Sequence, residues 1–316
     1  MTVPDNFKIS LQGFNTTEDA EAVGEIIGYY TCELSKLFDL SSLDGITVAS
    51  DYAKALQDLD RGYESPLLLT PSEGKVVGVA MTPSVIRDGG LKSHIVLWAG
   101  LVADINNNQE NKLQQFFQIL AHECAHVEVT NRFDIAFPNT LLGQQYLDER
   151  VRIRWDVTLA CWDEYAATRL SAKIGQDPSS YYEKGFLDQL NETNSLVNQS
   201  INSYQTHGNH NQVFSGVVLH YGRLLKLASY YLGNLDGHGV DPFSKEETDK
   251  RMYNLWFEPF LKKLHNELRA IHLEYGTWKD QSLFEKIGDL TEDFLADGGI
   301  TFHYSSDGAL HFNFPH

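Results

Sequence analysis

The hydrophobic periodicity of the chain changes near residue 110, and this change restricts the fold class more than any other feature. Before it, Val76–Ile86 and His94–Asp104 are rich in Val, Ile and Leu and flank Asp88-Gly89-Gly90, a sequence typical of a hairpin turn. After it, apolar residues recur at helical spacing through most of the chain. The sequence therefore predicts an α+β fold with a small sheet and a larger helical part.

Individual elements follow from the same criteria. Pro83 predicts a strand that is irregular or lies at a sheet edge, because proline lacks the N–H that a central strand needs. Glu110–Thr130 is predicted as a helix, since its large apolar residues share one face. The other predicted elements are helices at Thr17–Phe38, Tyr52–Leu59, Leu141–Ile174 (with a break), Tyr181–Tyr204, Val213–Leu232, Lys245–Trp278 and Ser282–Leu295, a strand at Ile46–Ala49, and a terminal hairpin of Ile300–Tyr304 and Ala309–Phe314.

Charge and composition exclude several classes of protein. The chain has 25 Lys and Arg against 43 Asp and Glu, a net charge of −18, which argues against direct contact with nucleic acid or anionic lipid. The longest apolar run, Ile95–Ala103, is far below the roughly 20 residues of a spanning helix. Met1–Ser10 lacks the features of a signal peptide. Three widely spaced cysteines form no disulfide framework. We therefore predict a soluble, cytoplasmic protein with no membrane or nucleic-acid partner.

Residues 121–129, AHECAHVEV, contain the motif HExxH. Residues four apart lie on one face of a helix, so His122 and His126 can bind one metal ion. Glu123 is placed to take a proton from a metal-bound water and is not itself a ligand. Zinc is the expected ion, because it accepts histidine and carboxylate ligands and leaves one position open for water. Cys124, between the histidines, is expected to lie in the core.

A third ligand is required to complete such a site. No third histidine follows at the short HExxHxxGxxH spacing, because residues 127–132 read VEVTNR. The remaining option is a carboxylate on a later helix. Glu164 is favoured, since the small residues after it allow close helix packing, whereas Asp163 points about 100° away and better suits the support of a ligand. Other carboxylates on the same stretch remain alternatives: Glu149 and Asp156.

The sequence HECAH, followed by a helix with EYAATRLSA, resembles the gluzincin metallopeptidases. It is distantly similar to the ImmA/IrrE-type peptidases, whose Glu-x-x-Ala segment matches Glu164 and Ala167. The resemblance covers Lys75–Ile174. It implies a zincin-like core with a small sheet and an active-site helix, and Glu164 as the third zinc ligand.

Peptidases of this kind also need a donor for the developing oxyanion. Three residues are candidates: Tyr221, His220 and Tyr165. The apolar segment His94–Asp104 has two interpretations, either a sheet edge that pairs with an extended peptide or an ordinary buried strand. The buried strand is favoured.

We predict a zinc peptidase that acts on a protein or peptide substrate through a zinc-bound water activated by Glu123. Its large helical part suggests a regulatory protease with restricted substrates. The predicted organisation is an N-terminal helical segment at 1–40, the metallopeptidase core at 41–175 and a mainly helical region at 176–316. The alternatives are a zincin-fold sensor or partner-binding protein with little activity, and a hydrolase of a non-peptide amide.

Overall fold

The computed structural model describes residues 2–5, 7–71, 78–102, 110–143, 146–244 and 256–314. The protein is about 60% helical with a small mixed sheet, so the predicted α+β class is confirmed. The chain divides into two compact units, one of Met1–Ile135 with Ala166–Pro178 and the other of Ala136–Tyr165 with Ser179–His316. Among the helices described, no segment is long and apolar enough to cross a membrane.

The first unit contains the mixed sheet. Its strands are β1 (Lys8–Gln12), β2 (Leu43–Ala49), β3 (Ala80–Met81), β4 (Ser84–Arg87) and β5 (Gly90–Trp98). β1 and β2 are parallel, as are β2 and β5, whereas β3 and β4 both pair antiparallel with β5. The segment predicted as a strand from residue 94 is therefore an interior strand, flanked on both sides. This confirms the buried-strand interpretation and excludes β5 as a free edge for a peptide.

The predicted hairpin is present between β4 and β5. Asp88 and Gly89 both have positive φ, 52° and 76°, as a two-residue turn that matches the strand twist requires. The strand before it is interrupted at Thr82-Pro83, which separates β3 from β4 and confirms the irregularity expected from the proline. The second predicted strand, His94–Asp104, was too long, because β5 ends at Trp98 and Ala99–Leu101 form a 3-10 helix. Residues 76–77 and 103–104, at the outer ends of the two predicted strands, lie outside the described residues.

The α-helices of the first unit, within the described residues, include α1 (Thr17–Leu34), α2 (Tyr52–Asp58) and α3 (Glu110–Ala136), whose last residue falls in the second unit. The side chain of Thr16 caps α1 by accepting a hydrogen bond from the N–H of Asp19 at 3.1 Å. α1 and α3 bury their apolar faces with β2 and β5 in one core, where Ile27, Ile46 and Leu120 have no exposed surface. Thus α3 joins this core through its buried residues between Phe116 and Val127.

The second unit is mainly helical. Its helices are α4 (Thr140–Gly143), most of α5 (Glu149–Ser171), α6 (Ser179–His207), α7 (His210–His238), α8 (Glu258–Leu273) and α9 (Ser282–Asp297). The break predicted within Leu141–Ile174 separates α4 from α5. Residues 245–255 of the predicted helix Lys245–Trp278 lie outside the described residues. The terminal hairpin is present as β6 (Thr301–Tyr304) and β7 (Leu310–Asn313), and Phe312 stacks on Phe214 of α7 with ring centroids 4.4 Å apart.

Candidate metal centre

α3 holds the HExxH motif in the most deeply buried part of its length. Ala121, Cys124 and Ala125 are fully buried in the core of the first unit, so the small residues of the motif fix the helix against its neighbours. Cys124 is a core residue, as predicted, and burial raises the pKa of its thiol, which keeps it protonated. The same packing sets the direction of His122 and His126.

The two histidines meet as the helical spacing predicts. Their Nε2 atoms are 3.0 Å apart, and each residue is only 7% exposed. Two nitrogen ligands on a tetrahedral zinc ion, each about 2.0–2.1 Å from the metal, would be about 3.3 Å apart. The observed separation therefore needs only a small adjustment to accept an ion.

Glu164 of α5 joins the histidines. One ligand atom each from His122, His126 and Glu164 lies within 4.8 Å of the others, and all three residues are buried. Two imidazoles and one carboxylate form a donor set that suits a divalent transition metal and leaves room for a further ligand. These three residues thus form a group that can hold a metal ion.

The alternative carboxylates have other surroundings. Asp163 is partly exposed and is not a member of the group. Glu149 and Asp156 both pair with the guanidinium of Arg152 on the surface of α5. Of the four carboxylates considered from the sequence, Glu164 is the one that the structure brings to the histidines.

A lysine contacts the carboxylate of the group. The Nζ atom of Lys226, on α7, lies 2.9 Å from Oε1 of Glu164. The side chain of Glu164 is 8% exposed and that of Lys226 is 41% exposed. The negative charge of Glu164 is the main cause of the raised pKa of Lys226, so the ammonium form is favoured.

Glu123 is also buried, at 6% exposure. Thr82, between β3 and β4, donates a hydrogen bond from Oγ1 to Oε2 of Glu123 at 2.6 Å. Tyr52, at the start of α2, has a raised pKa because it is buried and because Glu123 carries a negative charge nearby. The phenol oxygen of Tyr52 has no hydrogen-bond partner within the described part of the chain.

No protein-family model, curated protein or solved structure matches this chain.

The three residues predicted as oxyanion donors have different environments. Tyr165 is fully buried and donates its hydroxyl to Asp236 at 2.5 Å, beside His265. Tyr221 packs against Phe294 with ring centroids 4.4 Å apart. His220 is partly exposed, and burial lowers its pKa. Their role as oxyanion donors stays a prediction.

Sequence reasoning missed Thr82, Tyr52 and Lys226. Thr82 had a signal, because it precedes the proline that interrupts a predicted strand, and such interruptions often carry functional side chains. Lys226 had no signal of its own, since a lysine on a helix is most often solvated.

Proposed function

We propose that this chain is a zinc-dependent peptidase with a zincin-like core of gluzincin type, similar to the ImmA/IrrE-type peptidases. The observation that supports this most is the buried group of His122, His126 and Glu164, with Glu123 adjacent in sequence to the first histidine. A sensor that used the same core as a scaffold would not need a buried, oriented carboxylate at position 123. The arrangement of Glu123 therefore favours an enzyme.

The proposed chemistry assigns each acidic residue a different task. Zinc, when bound by the two histidines and Glu164, lowers the pKa of a coordinated water and polarises a carbonyl group. Glu123 takes a proton from the attacking water and then gives it to the leaving amine. Thr82 holds one oxygen of Glu123, so the carboxylate keeps a fixed direction between the two proton transfers.

The edge of the sheet beside Thr82 favours a peptide as the substrate. Within the described sheet, β3 is the last strand in the order β1-β2-β5-β3. It directly precedes Thr82, which contacts Glu123. An extended peptide can add to such an edge through main-chain hydrogen bonds. All three ligands of the group are 6–7% exposed, which supports an enzyme that admits few substrates.

Metal analysis tests the proposal directly. We expect one zinc ion per chain in protein purified without chelators, and loss of that zinc in His122→Ala, because two ligands bind zinc much more weakly than three. His303→Ala, at an exposed histidine of β6, is the control and should keep the metal. Elemental analysis measures both, and mass spectrometry of a random peptide mixture detects chelator-sensitive cleavage. Protein that takes up no zinc, even on reconstitution, contradicts the proposal.

Thr82 provides a second test. Thr82→Val removes the hydrogen bond to Glu123, and a bond to a charged group contributes about 1.5–3 kcal/mol, so we expect kcat/KM to fall by about 10–100-fold with zinc content unchanged. Thr82→Ser keeps the hydroxyl and should keep most of the activity. Equal rates for the Val and Ser variants would mean that the hydroxyl does not hold the base.

A further inference from the structure

Lys226 contacts the candidate metal centre and is not one of its ligands. Its ammonium is 2.9 Å from Oε1 of Glu164, a carboxylate whose side chain is 8% exposed. Burial of an ionised carboxylate is costly unless it is paired and hydrogen-bonded. The contact is therefore more than a surface ion pair.

We propose that Lys226 is a positioning residue of the metal centre. It holds Oε1 of Glu164 and so leaves Oε2 as the oxygen that binds the metal. Carboxylate ligands are generally hydrogen-bonded on their outer side, and such partners fix the direction of the ligand. The inference rests on the metal centre of the proposed function but does not depend on peptidase activity.

The position of Lys226 on α7 separates it from the donors predicted on that helix. It is five residues after Tyr221 and six after His220, and neither spacing places two side chains on the same face. The contact of Lys226 with Glu164 is therefore made from a different face of α7 than the one that carries Tyr221 or His220. Its side chain also passes the ring of Tyr230, with Nζ 6.0 Å from the ring centroid.

Two effects of Lys226 on metal affinity oppose each other. Its positive charge repels a cation, whereas its hydrogen bond orients the ligand. The side chain is 41% exposed, so solvent screens the repulsion, while the hydrogen bond acts directly on a buried carboxylate. We therefore expect the orienting effect to be the larger, and removal of the lysine to weaken metal binding.

Zinc affinity, measured by competition with a fluorescent chelator at fixed pH and ionic strength, tests this. Loss of a residue that supports a metal ligand typically costs about 10–100-fold in affinity, and we expect a loss in that range for Lys226→Met. Lys226→Arg keeps the charge and N–H donors and should restore most of the affinity, which a purely structural role would not require. Lys184→Met is the matched control, because Lys184 pairs with Asp188 on the exposed surface of α6.

The outcomes are distinct. Zinc binding by Lys226→Met that equals or exceeds that of the wild type overturns the inference. If Lys226→Met proves unfolded in a urea titration, Lys226→Ala replaces it as a second variant without the N–H donors, and zinc affinity equal to that of the wild type in Lys226→Ala also overturns the inference. A wild-type chain that binds no zinc overturns both the inference and the proposed function, whereas one that binds zinc without cleaving peptides overturns only the peptidase.

Discussion

Glu123→Gln is expected to keep its zinc and to lose hydrolysis. The amide has nearly the same shape as the carboxylate, and its oxygen can still accept the hydrogen bond that Thr82 donates to position 123 at 2.6 Å. It cannot take a proton from water, however. General base catalysis contributes about 10²–10⁴-fold, so the rate of peptide cleavage should fall by at least that factor. Elemental analysis and cleavage kinetics on the same preparation separate binding from chemistry.

The control for this variant lies on the same helix. Glu110 is exposed in the first turn of α3, and Glu110→Gln changes the net charge equally without touching the motif. It should leave both zinc content and rate unchanged. If Glu123→Gln cleaves peptides as fast as the wild type, Glu123 is not the base. If no preparation cleaves any peptide while zinc is present, the chain fits a binding or sensor protein better.

The sequence was sufficient to predict the parts of the site that depend on one helix. The spacing of His122 and His126 is a local property, because an α-helix places residues four apart on the same face. Their Nε2 atoms indeed lie 3.0 Å apart. The direction of Glu164 was also predictable, since its helix is continuous and its small neighbours mark a packed face.

Contacts between distant parts of the chain could not be predicted in this way. Thr82 and Glu123 are 41 residues apart, and no periodicity in either segment indicates that they meet. Lys226 reaches Glu164 only because α7 packs in a particular rotation beside α5, which side-chain packing decides. Helical spacing gives the face on which a residue lies, and it does not give the partner of that face.

One strand of the sheet was missed for a different reason. β1, Lys8–Gln12, alternates exposed and partly buried residues, which is a weak form of the expected strand pattern. It is short and lies at the end of the strand order, where one side of the strand makes no ladder within the described sheet. The predicted sheet therefore lacked β1, the edge strand that pairs parallel with β2, although the α+β class was correct.

Glu164→Ala is expected to weaken zinc binding strongly. The loss of affinity should exceed the roughly 10–100-fold that is typical when a residue that only supports a metal ligand is removed. The substitution removes one of three donors and the negative charge that offsets part of the metal's charge. The fold should persist, because the side chain of Lys226 is 41% exposed and its ammonium can be hydrated when its partner is lost. Chelator competition gives the affinity, and a urea titration of the metal-free protein checks the fold.

Asp163→Ala decides whether the helix register is correct. Asp163 precedes Glu164 on α5, is partly exposed, and points about 100° away around the helix axis. Its removal lowers the net negative charge by the same amount, so any general effect of charge on zinc affinity appears in both variants. We expect Asp163→Ala to bind zinc nearly as tightly as the wild type. Should it release the metal while Glu164→Ala retains it, α5 would have to be rotated by about one residue, and the contact of Lys226 with Glu164 would no longer belong to a metal centre.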